Sequence, residues 1–148
     1  MEDKILISEN KKFIISTEKA KLKIDLILSY LHRSYWASET PAEQIIESIN
    51  NSLCFGLFED ENQIGFARVI TDYSRFAYLA DVFILEEWRG KGLCKWLIKT
   101  IMEHPKLQKA RWMLATKDAH SLYEKFGFTS LNEPEKYMIK KPEMNFNE

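Results

Sequence analysis

Along this chain the apolar positions switch between helical spacing and short continuous runs, and the switches lay out the elements. Residues 12–16 are a short apolar run and predict a first strand. Across residues 19–32, Leu22, Leu26, Ile27, Tyr30 and Leu31 recur at helical spacing and predict an amphipathic helix. Residues 33–39 read as a loop rich in aromatics. Thr40 is placed to cap a second helix, with Pro41 at its first position and Glu43 in its first turn, running to about Asn51. Residues 53–58 and 63–71 are predicted strands, joined as a hairpin by the polar turn 59–62. Residues 76–85 are nearly all apolar and predict a long strand buried on both faces. A helix over 92–103 carries Leu93, Trp96, Leu97 and Ile101 on one stripe and ends at His104-Pro105. Residues 110–115 are expected as a strand, 117–126 as a short helix closed by Gly127, and 128–131 and 136–140 as two short strands.

This order implies an α+β layer arrangement around a mixed, mostly antiparallel central sheet flanked by helices. The connection from 76–85 through a helix to 110–115 has the length of a right-handed βαβ unit, so those two strands are expected to be parallel. With 148 residues, no repeat, no Gly/Ser linker and prolines only at element boundaries, residues 1–148 read as one domain.

Charge narrows the partners. A net charge of −1 provides no global field for nucleic acid or an anionic membrane, so neither is an expected partner and any anion site must be local. Met1 to Ser8 lacks the apolar stretch of a signal peptide, and no window reaches the ~20 apolar residues of a membrane span. Cys54 and Cys94 form neither a metal spacing nor a disulfide framework. The expectation is a cytoplasmic protein with reduced thiols and no metal.

The strongest local signal runs from Glu86 to Lys95: Glu-Glu-Trp-Arg-Gly-Lys-Gly-Leu-Cys-Lys, between a buried strand and an amphipathic helix. Gly90 and Gly92 allow a tight turn and close backbone approach. The helix that follows presents unpaired N–H groups and the positive end of its dipole, which together suit a phosphate. Arg89, Lys91 and Lys95 add local positive charge. Lys95 is followed by Trp96, which excludes a Walker A loop, and a dinucleotide fingerprint would need a third glycine. Taken alone, the turn is equally compatible with a plain strand-to-helix connection.

Arg89-Gly90-Lys91-Gly92-Leu93-Cys94 resembles the acyl-CoA pyrophosphate loop of the GNAT superfamily of N-acetyltransferases, Arg/Gln-x-x-Gly-x-Gly/Ala, with Cys94 departing at the last position. Ala119-His120-Ser121-Leu122-Tyr123-Glu124-Lys125-Phe126-Gly127-Phe128 resembles that superfamily's Ala-x-x-Leu-Tyr-x-x-x-Gly-Phe segment. The two stretches occur in the expected order with one strand between them. The resemblance implies the superfamily's fold, with a parallel strand pair splayed around the acyl-CoA site, and acetyl-CoA as acyl donor. It implies that the main chain of Val82, Phe83 and Ile84 pairs with the pantetheine arm. It also implies that residues 90–95 hold the pyrophosphate through backbone amides, that Thr116 contacts the cofactor where Asn is common, and that Tyr123 is the general acid.

The chemistry supports that role. A departing thiol has pKa ~8.5 and a phenol ~10, so a positioned phenol can bond to the sulfur and return a proton as the C–S bond breaks. Without the upstream loop, Tyr123 would read as an ordinary helix tyrosine closing the core. Cys94, at a helix start, could be a lowered-pKa nucleophile, but no His-Asp partner is recognisable beside it.

A base is harder to find. Some superfamily members carry a carboxylate at the place matched here by Ala80. Asp81 is adjacent, but strict alternation turns it to the opposite face unless a bulge re-aims it. Pairing of Asp81 with Arg68 or Arg75 is the plainer reading. Asp118 reads as an N-terminal cap and His120 as a surface residue, though its spacing from Tyr123 could allow a proton relay. On the acceptor side, Tyr35 and Trp36 in the first inter-helix loop, with Glu39, suit a cationic or aromatic amine. Arg33 suits an acceptor bearing a carboxylate. Tyr78 could line the same pocket, and Tyr35 and Trp36 could instead staple the helices to the sheet. The expected activity is direct acetyl transfer from acetyl-CoA to the primary amine of a small molecule. The alternative is a CoA-binding regulatory module without catalysis, and a homodimer is compatible with the resemblance.

Overall fold

The computed structural model describes Ile5 and residues 7–143, so the reading of the chain's first eight residues falls largely outside the described residues. β1 (Ile7–Asn10) and β2 (Phe13–Ser16) form an antiparallel hairpin. The apolar run predicted only β2. β1 is mostly polar and exposed, and it exists because β2 presents it with a free edge.

The first predicted helix starts late. Residues 19–21 make a single tight turn, Lys23 is extended, and its N–H donates to Gln63 Oε1 at 2.7 Å. α1 is therefore Ile24–His32. α2 (Ala42–Asn50) starts after an extended Pro41 (φ −60°, ψ 146°), which is itself the boundary residue, so Thr40 lies outside the cap position expected for it.

β3 (Leu53–Glu59), β4 (Asn62–Thr71), β5 (Phe76–Ile84) and β6 (Arg111–Leu114) complete a six-stranded sheet in sequence order. Neighbours are antiparallel up to β5, and β5 and β6 are parallel, joined by α3 (Leu93–Met102). One face of the sheet packs Phe55, Val69, Ala77 and Leu79 against Leu97, Ile98 and Ile101 of α3. The other packs Cys54, Phe66 and Phe83 against Ile27 and Leu31 of α1 and Ile45 and Ile49 of α2. The 3.6-residue stripes of the helices and the alternation of the strands meet in these two layers.

Two irregularities of β5 shape the site. First, pairing with β4 runs Phe66↔Phe83 and then Arg68↔Ala80, so Asp81 and Val82 together oppose Ala67. This is a β-bulge, and Asp81 adopts φ +55° within it. Second, pairing with β6 ends at Leu79↔Leu114 while β5 continues to Ile84. The parallel strands part there, and among the described residues the edge of β5 beyond Leu79 has no neighbouring strand on that side.

α4 (His120–Glu124) is shorter than the predicted 117–126, and Gly127 follows with φ +93°. The strands predicted over 128–131 and 136–140 are not formed. Lys136 closes a short turn with Pro134, and Met138 and Ile139 are 98% and 83% exposed. An apolar run becomes a strand only beside an edge that accepts its N–H and C=O groups, and neither stretch lies along one.

Candidate active site

The glycine turn is built as its sequence suggests. Gly90 and Gly92 hold φ +80° and +78°, a region costly to residues with a Cβ. Gly92 is the N-cap of α3, and the first intrahelical bond is Trp96 N–H to Gly92 C=O at 3.2 Å. The amides of Leu93, Cys94 and Lys95 therefore precede the helical ladder. Among the described residues, no backbone bond occupies the amides of residues 90–95.

These amides border a groove of about 760 Å³ lined by Val82, Phe83, Ile84, Arg89, Gly90, Gly92, Leu93, Cys94 and Lys95. Lys91 is exposed in the same turn. Arg89 is more constrained than a free phosphate ligand. Its Nε donates to Ile84 C=O at 3.0 Å, and a terminal nitrogen donates to the Tyr30 hydroxyl at 2.6 Å. Tyr30 in turn stacks on Phe83 at 3.9 Å. Arg89 thus ties the turn to both sheet and α1 while keeping its charge at the groove.

The free edge of β5 is selective. Leu85 N–H bonds to Ile64 C=O at 2.8 Å. Alternation then sends the main-chain groups of Phe83 to β4 and those of Val82 and Ile84 to the groove. The structure thus turns two of the three expected residues towards the groove, with the Ile84 carbonyl already engaged by Arg89.

A second cavity, of about 650 Å³, lies on the other side of the strand opening, lined by residues of α2 (Gln44, Ser48), of the sheet (Arg68, Tyr78, Ala80, Asp81) and of the β6–α4 loop. Tyr35, Trp36, Val82, Asp118, Ala119 and Tyr123 line both cavities, so these residues mark where the two meet. Tyr123 is buried, with its ring edge-on to Phe128 at 5.8 Å. Burial pushes its phenol up to about 12, and the neighbouring Cys94 and Tyr35 push the same way. Burial also raises the Cys94 thiol, against Arg89, which agrees with setting it aside as a nucleophile.

Asp81 is re-aimed by the bulge. Its two oxygens accept from Arg68 Nε and from Trp36 Nε1, each at 2.8 Å. Arg68 also donates to Ser52 Oγ at 3.1 Å. Of the two arginines considered from sequence, Arg68 is the partner. Tyr35 bridges the opening from the other side, its hydroxyl accepting from Lys117 N–H at 3.3 Å. The loop between α1 and α2 therefore spans from sheet to β6–α4 loop. The expected N-terminal cap at Asp118 is not formed. Ala119 is the boundary residue of α4, and its N–H donates to Thr116 Oγ1 at 3.1 Å. Thr116 shapes the turn before Tyr123 and lines the second cavity only.

Residues 24–128 match the Acetyltransferase (GNAT) family model. This chain belongs to the GNAT acetyltransferase family. It is similar to a candidate GNAT acetyltransferase from Xanthomonas campestris pv. campestris whose crystal structure is 45% identical, with a TM-score of 0.85 over 88% of this chain and 93% of the other. It is also 31% identical, over 76% of each chain, to a candidate acetyltransferase of Gibberella zeae. A GNAT acetyltransferase from Elizabethkingia anophelis, solved with acetyl-CoA bound, shares the fold at 15% identity, with a TM-score of 0.63 over 91% of each chain.

Within this GNAT chain, several residues at the site lie outside the motifs that the sequence singles out. Tyr30 reads only as part of a helical stripe, yet it anchors Arg89. Gln44 and Ser48, four apart beside the buried Ile45 and Ile49, are polar residues flanking an apolar stripe, and that pattern could have marked them as pocket-facing. Lys125 lies against Lys95, which lowers its ammonium pKa. His120 is exposed and lines neither cavity.

Proposed function

We propose that the protein transfers an acetyl group from acetyl-CoA directly to the primary amine of a small molecule, with Tyr123 as general acid. What carries this reading is the position of Tyr123, a buried, protonated phenol on the wall shared by the glycine-turn groove and the second cavity. The groove residues fit the donor. Unoccupied amides over 90–95 and the positive end of α3 would take the pyrophosphate, and Lys95 and Lys125, crowded together, would be relieved by an anion between them. The free edge at Val82 and Ile84 would take the pantetheine amides and leave the thioester at the junction.

In this reading the acceptor nitrogen attacks the thioester carbonyl from the second cavity. Negative charge builds on sulfur as the C–S bond breaks, and the Tyr123 hydroxyl bonds to it and delivers the proton. The nitrogen's remaining surplus proton replenishes the phenol through solvent. A phenol at about 12 stays a donor across the physiological range. Holding donor and acceptor together supplies much of the rate, so no covalent enzyme intermediate is required.

The test is thiol release from acetyl-CoA with a panel of primary amines, for wild type and Tyr123→Phe, beside CoA affinity by calorimetry. Turnover that falls in the variant while affinity holds supports the proposal. Tight CoA binding without turnover of any amine favours the regulatory module, to which Ala80, an alanine where some members of the family carry a carboxylate, gives some support.

A further inference from the structure

Three carboxylates line the two cavities: Asp81, Glu86 and Asp118. Two are already engaged. Asp81 accepts at both oxygens, from Arg68 and Trp36. Glu86 is paired with Arg33 at 2.8 Å, beside the groove and away from the second cavity. Asp118 has no hydrogen bond or ion pair among the described residues, and it lines both cavities, as Tyr123 does.

The loop that carries Asp118 is fixed without using its side chain. Lys117 N–H bonds to Tyr35, and Ala119 N–H bonds to Thr116. The backbone is therefore held on both sides, and Asp118 itself is exposed where the two cavities meet. The other charged groups there are accounted for. Lys117 Nζ lies over the Tyr35 ring, 5.5 Å from its centroid, and Arg68 is neutralised by Asp81. The remaining titratable neighbours on the facing elements, Tyr35, Tyr78 and Tyr123, are phenols.

We infer that Asp118 is the anchor for the acceptor's ammonium group. This rests on the acetyl-transfer reading above and narrows its substrate class to a cationic primary amine with an aromatic or apolar body. In this placement the charge rests on Asp118, with Trp36 lining the same two cavities, and the body lies in the second cavity against Tyr78 and Leu79. The anchored ammonium releases one proton to solvent past the carboxylate and attacks as the free amine. It releases its second proton as the amide forms, and the thiolate leaves with the proton from Tyr123. One amide, one thiol and one net proton result.

The experiment measures initial rates with acetyl-CoA for wild type, Asp118→Asn and Asp118→Glu. The cationic acceptors are 2-phenylethylamine, tyramine and putrescine, and the uncharged one is O-benzylhydroxylamine. CoA affinity and thermal midpoint serve as folding controls. Asp118→Asn is expected to raise KM for the cations at least about tenfold, the scale of a lost bond to a charged group. It is expected to change kcat less and to leave O-benzylhydroxylamine kinetics alone. Asp118→Glu is expected to restore part of the loss. Rejection of the uncharged amine by wild type also supports the anchor. Unchanged KM for the cations overturns it, as does equal loss on charged and uncharged acceptors, or acceptance of the uncharged amine alone. If wild type acetylates none of the four, the acetyl-transfer reading falls with it. If wild type is active and Asp118→Asn matches it, only the anchor falls.

Discussion

Asp81 holds a backbone conformation (φ +55°) that costs a non-glycine residue roughly 1–2 kcal/mol, and its two charge-assisted bonds offset that cost. The Arg68 and Asp81 side chains are only 15% and 10% exposed. Asp81→Ala would leave the guanidinium unpaired in a poorly solvated place, and a loss of roughly 3 kcal/mol is expected in urea denaturation. At Tyr123 the expectation is catalytic. Tyr123→Phe should lower kcat by about a hundredfold or more, with CoA affinity nearly intact. Equal activity in the variant would remove the phenol from the chemistry. Gly92→Glu puts a Cβ at φ +78° and a negative charge where a diphosphate is proposed to sit, so CoA affinity should fall sharply. The positive-φ turn at Gly90 and Gly92 and the candidacy of Tyr123 were legible as residue types at set spacings. The Arg68 partner of Asp81 was legible as one of two candidates, but its bond to Trp36 was not, because strict alternation turns Asp81 away until the bulge re-aims it.

Among the elements, α3 and α4 do different work. α3 is anchored by Leu97, Ile98 and Ile101, all with no exposed surface, and Ile98→Ala should cost about 2–5 kcal/mol by leaving a cavity in the core against the sheet. α4 has five residues and little packing area, so its direction depends on the turn before it. Thr116→Val removes the acceptor for Ala119 N–H, and about 1 kcal/mol of stability should be lost together with turnover, because Tyr123 is aimed by that turn. A fall in stability with kcat unchanged would mean that α4 is held by other contacts. The long periodic elements, α1 to α3 and β3 to β5, could be read from the sequence to within a few residues. β1 and the C-terminal run could not, because their state depends on whether a neighbouring edge is present.

For the whole molecule, two buried acids set the response to alkali. Burial raises Tyr123 from 10.0 to about 12, and burial raises Cys54 from 9.0 to about 11. Well below pH 9 both groups are protonated in the folded and unfolded chains, and neither makes stability depend on pH. As pH rises from 9 to about 11 the unfolded chain loses the Cys54 proton that the folded chain keeps, and from 10 to about 12 the same holds for Tyr123. Stability should therefore fall across this range, and urea midpoints against pH should flatten in Cys54→Ala and Tyr123→Phe. The long periodic elements, the turn that carries glycines at positive φ and the helix that presents free amides are local properties, and the sequence determined them through spacing and residue type. Packing alone decided that Trp36 reaches Asp81 across 45 residues and that Tyr35 reaches Lys117 across 82. Such contacts depend on how layers stack and on a bulge that resets the faces of a strand, and no local pattern encodes either.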